Sequence, residues 1–141
     1  MHRAFTSYLL GTALLSLVIL GCGGGSSGNG NCDVNRIFTQ YNCSAAGCHD
    51  AAKTGGNFDM MSPGLESRLV GVLPPGGGTT MSKCATINRP YLDPGSNPAT
   101  GLFLDKLKSP APCGDVMPMI GARLTAADLA CVQTWANELT M

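Results

Sequence analysis

Cys43 and Cys48 frame four small residues, and His49 directly follows the second cysteine, in the stretch "NCSAAGCHD". The chain has one other histidine, His2, at its N-terminus. If His2 is removed during export, His49 is the one imidazole left for chemistry. Two thiols on a short loop with a trailing imidazole have a specific use. A haem carries two vinyl groups on neighbouring edges, and two cysteine sulfurs can form thioethers to both. The residue after the second cysteine then lies under the iron, where an imidazole binds axially. The short attachment loop usual for this chemistry has two residues between its cysteines. Here Ser44, Ala45, Ala46 and Gly47 stand between them. Side chains this small let a longer loop bulge without clashes, and Gly47 is able to take a positive φ.

A six-coordinate electron-transfer haem needs a second axial ligand, and methionine is the usual choice when no further histidine is present. Beyond the leader the chain offers Met60, Met61, Met81, Met117, Met119 and Met141. Most methionines fill gaps in cores or lie on surfaces. Met117 is preferred because it precedes Pro118 in a loop just before the last helical segment, and Met119 is the fallback.

The elements that must position these residues start after an export leader. "MHRAFTSYLLGTALLSLVILGC" has one basic residue, Arg3, and an apolar run from Tyr8 to Leu20. That run is short for a permanent span and reads as the core of a signal peptide over residues 1–21. It ends in Ile19-Leu20-Gly21-Cys22, which resembles a bacterial lipobox and makes Cys22 the expected lipidated residue. The Gly/Ser-rich stretch to Asn31 then forms a flexible linker, reaching roughly 15–18 Å. One domain follows, over 32–141. The expected location is the bacterial cell envelope, with the domain lipid-anchored to a membrane on its periplasmic or surface face.

Nine Lys+Arg balance nine Asp+Glu without a basic run, which disfavours nucleic acid as a partner. Few aromatics and many glycines leave a modest core that needs covalent staples, and an exported protein can form them. Four helical segments are predicted. In "CDVNRIFTQYNC", Asp33 caps a helix whose Val34, Ile37, Phe38 and Tyr41 make one apolar stripe. "SPGLESRLVG" starts with Ser62 as cap and Pro63 in the first turn, and Gly71 ends it. "NPATGLFLDKLKSP" repeats the device with Asn97 and Pro98, although Gly101 weakens it by about 1 kcal/mol. In "LTAADLACVQTWANEL", Thr125 caps and Asp128 completes a variant capping box, ahead of a stripe of Leu129, Val132, Trp135, Ala136 and Leu139. No strand-like alternation is sustained. The carboxylates Asp93, Asp105 and Asp115 read as separate and solvated, and "PPGGGTT" as a flexible turn. Short helices joined by long Gly/Pro-rich loops make this an all-α chain, and loops that long imply something for them to wrap.

Enzymatic readings fare poorly, because adjacent Cys48 and His49 cannot form a nucleophile–base pair and no phosphate loop is present. Adjacent ligands also diverge from a single zinc ion. The serious rival is a haem-free surface module, stapled by disulfides and binding a partner. Without Cys22 the chain has six cysteines, enough for three bridges including Cys43–Cys48; with haem four remain, enough for two.

The chain resembles the c-type cytochromes, and more narrowly the cytochrome-c-like domains of exported bacterial lipoproteins. The parts that carry the likeness are "IFTQYNCSAAGCH", "YLDPGSNPATGLFLDKL" and "CGDVMPMIGARLTAADLACVQTWANEL". The resemblance implies a small cytochrome c-like fold around one haem c, attached at Cys43 and Cys48 and ligated by His49 and Met117. The ring would lie beneath Phe38, Tyr41, Leu102, Phe103 and Trp135. It also implies electron transfer rather than enzymatic turnover, with a redox partner protein and a membrane contact through the lipid. Three pairings are open to the remaining cysteines. Because the first and last helices cross in that family, the resemblance implies Cys32–Cys131, which leaves Cys84–Cys113.

Overall fold

The computed structural model describes residues 32–52, 59–60, 62–76 and 83–141. The residues expected to form a leader, a lipidated Cys22 and a linker, together with Met61 and Met81, lie outside the described residues. Among those described the chain is helical without named strands, a small all-α fold carrying two disulfides. Helix α1 spans Val34–Gln40, α2 spans Leu102–Lys106 and α3 spans Ala126–Thr140. No described helix is long and apolar enough to cross a membrane.

Both ends of the domain form as the sequence predicts. Asp33 accepts a hydrogen bond from the Arg36 amide at 3.0 Å, the N-cap geometry that satisfies a first-turn donor. Thr125 does the same for the Asp128 amide at 3.1 Å. The stripes fall inward. Ile37, Phe38 and Tyr41 from α1 meet Val132 and Ala136 from α3, with Val34, Leu129, Trp135 and Leu139 partly buried around them. Phe38, Phe103 and Trp135 join the three helices through edge-on and tilted ring contacts with centroids 5.6–6.1 Å apart, a geometry that aligns ring edges with π faces.

Two disulfides fix this arrangement: Cys32–Cys131 ties the start of α1 to α3, and Cys84–Cys113 joins two loops. They close sequence separations of 99 and 29 residues. In the chain-entropy model these closures are worth about 4.7 and about 3.6 kcal/mol, large shares of a small domain's net stability.

The two middle segments differ from expectation. Ser62 and Pro63 do not start a helix; the segment shrinks to a single 3-10 turn, Glu66–Arg68, entered through Gly64 at φ +77°. The Arg68 guanidinium instead donates to the carbonyls of Asp59, Ser62 and Pro63, drawing the preceding chain around itself. A further 3-10 turn at Ala85–Ile87 was not predicted.

The helix expected from Asn97 and Pro98 begins only at Leu102. Gly101 has φ +142°, far from helical, and a Cβ there would collide with the Tyr91 backbone. That close approach has a use. The amides of Leu102 and Phe103 donate to the carbonyls of Pro90 and Tyr91 at 3.1 and 2.9 Å, so neighbouring backbone replaces a side-chain cap. Residues 91–92 in turn run beside 69–72, through an isolated parallel bridge between Val70 and Leu92.

Of the three carboxylates expected to be separate and solvated, Asp93 and Asp105 are drawn together by one cation and Asp115 is paired elsewhere. Arg89 binds Asp93 at 2.9 Å and Asp105 at 2.6 Å, bridging the chain before α2 to α2 itself. Burial works against charge on Asp93, yet the Thr100 hydroxyl and Arg89 hold its carboxyl below the usual range. Asp115 pairs with Lys83 across 3.2 Å near the second disulfide.

Ile37→Ala should cost about 3 kcal/mol, since this side chain is fully enclosed between α1 and α3. Urea unfolding with an unchanged slope is the check. Asp128 supplies a pH signature. Hydrogen bonds from the Thr125 hydroxyl, then from Tyr41, lower its pKa, with Arg36 assisting. Its contribution is full above the usual carboxylate range and is lost as the pH falls through the lower folded value. Asp128→Asn should therefore flatten the acid limb of the stability curve, whereas an unchanged limb would reject this role.

Candidate haem attachment site

The attachment loop grows out of the last turn of α1. The Tyr41 amide bonds to Ile37, and the Cys43 amide reaches the Phe38 carbonyl at 2.8 Å, so Cys43 is still tied to the helix. Asn42 takes φ +53° and turns the chain out of it. The loop then closes on itself. The Cys48 amide donates to Ala45 at 2.9 Å, and the His49 amide donates to the Cys43 carbonyl at 3.1 Å. The extra residues are thus absorbed as a compact turn, with Gly47 at φ +83° and its amide held by the Asp50 carboxylate at 3.0 Å. His49 is brought back beside the residue that opens the loop.

Tyr41 locks this construction to α3. Its hydroxyl donates to Asp128 at 2.8 Å and accepts from the Thr125 amide at 3.3 Å. Helical spacing alone gives Tyr41 an apolar role and Asp128 a capping role. The missed contact joins residues 87 positions apart, which a local pattern cannot reveal.

Among the described residues, Cys43 and Cys48 are the thiols outside both disulfides, and both are partly buried. Burial, reinforced by the neighbouring Cys48, pushes the Cys43 thiol up to about 11. It is therefore a neutral thiol at physiological pH. His49 is also partly buried, and its carbonyl accepts from the Met60 amide at 2.9 Å.

Met117 is held on the far side of the domain's long loop, between α2 and α3. Its amide donates to the Lys106 carbonyl at 2.7 Å. Met117 is partly buried, whereas Met119 is 60% exposed. A groove of about 180 Å³ lies between the residues just before Cys43 and those shortly after Met117. Gln40, Tyr41 and Asn42 line one wall, immediately before Cys43, and Ile120, Gly121 and Ala122 line the other, shortly after Met117. The fold thus brings the chain that leads into the attachment loop against the chain that leaves the methionine loop. Phe38, Phe103 and Trp135, expected to cover a ring, pack on one another in the core.

No cluster of three or more His, Cys, Asp or Glu among the described residues is placed to hold a metal ion. A haem would ask less of a protein, because most of its iron's ligands come with the cofactor and the chain would supply only one or two. Two unbridged thiols, an imidazole directly after them and a partly buried methionine are residue types that fit this group. Compared with models of protein families, with curated proteins and with solved structures, the chain gives no significant match.

The raised thiol gives a direct measurement. In chain not loaded with haem, alkylation of Cys43 at neutral pH should be slow, rising about tenfold per pH unit until the solution approaches its pKa. A rate already at its plateau near pH 8 would contradict the burial assigned to this sulfur.

Proposed function

We propose that this chain is a membrane-tethered, single-haem c-type cytochrome that transfers electrons in the bacterial cell envelope. One observation carries the reading. Four of the described cysteines are joined in two disulfides, while Cys43 and Cys48 are left as thiols on the loop that ends in His49. In an oxidising compartment two neighbouring thiols are poorly explained as structural residues. They are well explained as the attachment points of a haem.

Haem c would supply a reversible one-electron iron couple. The chain's own residues would do the rest. Cys43 and Cys48 would hold the group covalently through thioethers, a linkage that retains both the sulfur and the hydrogen of each thiol. His49 would hold the iron through its imidazole, and its backbone is set by the amide hydrogen bond that folds it back to Cys43. Met117 would supply the second, thioether ligand, favoured over Met119 because it is partly buried where Met119 is exposed, and a sulfur ligand raises the potential. Neither axial side chain needs to gain or lose a proton as the iron changes oxidation state, which suits electron transfer rather than bond-making. Cys22 would carry the lipid, and the linker would keep the domain near the membrane, where a redox partner protein meets it.

The decisive experiment is the visible spectrum of protein purified from an envelope-exporting host, taken after denaturation. Haem that stays with the polypeptide is the expected result, and His49→Ala should abolish normal incorporation. A peptide containing a Cys43–Cys48 disulfide would overturn the reading in favour of the haem-free, partner-binding module.

A further inference from the structure

The methionine loop has no regular structure of its own, yet the carbonyls of Cys113, Asp115, Val116 and Pro118 around Met117 each meet a cation. At its start the Lys106 ammonium donates to the carbonyls of Cys113, at 2.7 Å, and Asp115. At its end Arg123 reaches back. A single nitrogen, Nη1, donates to the Val116 carbonyl at 2.9 Å and to the Pro118 carbonyl. Those two carbonyls flank Met117. The Met117 amide is itself taken by Lys106. The backbone on both sides of Met117 is thus tied, while Met119, just beyond the clamp, is exposed.

We propose that Arg123 is the positioning residue for Met117, its guanidinium bridging the Val116 and Pro118 carbonyls so that the thioether between them stays turned away from solvent. This rests on the reading of Met117 as the axial thioether. It adds a residue that never touches the iron and that the sequence singles out by no motif. A surface arginine seven and five residues beyond its acceptors is ordinarily read as solvated. What distinguishes it is that both bonds leave from one nitrogen. A lysine ammonium, with three donors on one nitrogen, can therefore replace it.

The test uses the full chain as isolated, exposed to hydrogen peroxide, with sulfoxide at each methionine followed by mass spectrometry. Met119 serves as the exposed reference, and Met60, partly buried against the core, reports general loosening. Arg123→Ala should raise oxidation at Met117 about fivefold with Met60 unchanged, because two hydrogen bonds to charge are lost locally. Arg123→Lys should restore most of the protection. In protein that carries haem, Arg123→Ala should also give mixed-spin iron and a lower potential, and Arg123→Lys should reverse both. Unchanged protection of Met117, or equal rises at Met117 and Met60, would overturn the positioning role. Wild-type protein without haem would overturn the proposed function instead. The peroxide comparison would still decide for or against Arg123, since it needs no iron.

Discussion

The fixed crossing of α1 and α3 governs the rest of the molecule. Each helix is short, and α1, at Val34–Gln40, is below the length at which helices persist alone in water. It forms because its apolar stripe has somewhere to go and because Cys32 is bonded to Cys131 at its start. At its other end the Tyr41 hydroxyl is held by Asp128 and Thr125 in the first turn of α3. A helix pinned at both ends cannot rotate. Cys43 is tied to the last turn of that helix, and His49 is tied to Cys43, so the placement of the imidazole follows from the crossing.

Away from these two helices, the chain satisfies its backbone by unusual means. Loops with few ladder hydrogen bonds must find partners for their carbonyls elsewhere, or leave them to water. Arg68, Lys106 and Arg123 each donate to two or more backbone carbonyls, and Gln133 and Asn137 on α3 hold Ala99 by both its amide and its carbonyl. A balanced charge composition is therefore not idle. Several cations are turned toward the backbone, which leaves little charge for an extended patch. A site on such loops is held by side-chain clamps rather than by regular elements.

This arrangement bears on how the longer cysteine loop could serve the same purpose as a shorter one. The added residues form an internal turn, with the Cys48 amide bonded to Ala45 and Asp50 closing onto Gly47. The two ends of the loop, Cys43 and His49, still meet through a backbone hydrogen bond. Lengthening the interior has not separated the groups that chemistry would need together.

By itself the sequence determined the elements whose signals are local. Asp33 and Thr125 cap helices because an oxygen near the first amides is a property of a few consecutive residues. The stripes of α1 and α3 were equally legible, since helical spacing alone puts Ile37 with Phe38 and Val132 with Ala136 on one face. The cysteines with His49 were legible as a pattern, and the cysteine pairing agrees with what the resemblance implied. Only the tertiary structure decided the middle of the chain. Gly101 does not continue a helix because the Tyr91 backbone occupies the space beside it, and that contact depends on a segment the local sequence does not mention. Arg89 collects Asp93 and Asp105, and Arg123 brackets Met117, for the same reason. A long cationic side chain can reach many partners, and which one it finds depends on where the folded backbone brings unsatisfied oxygen.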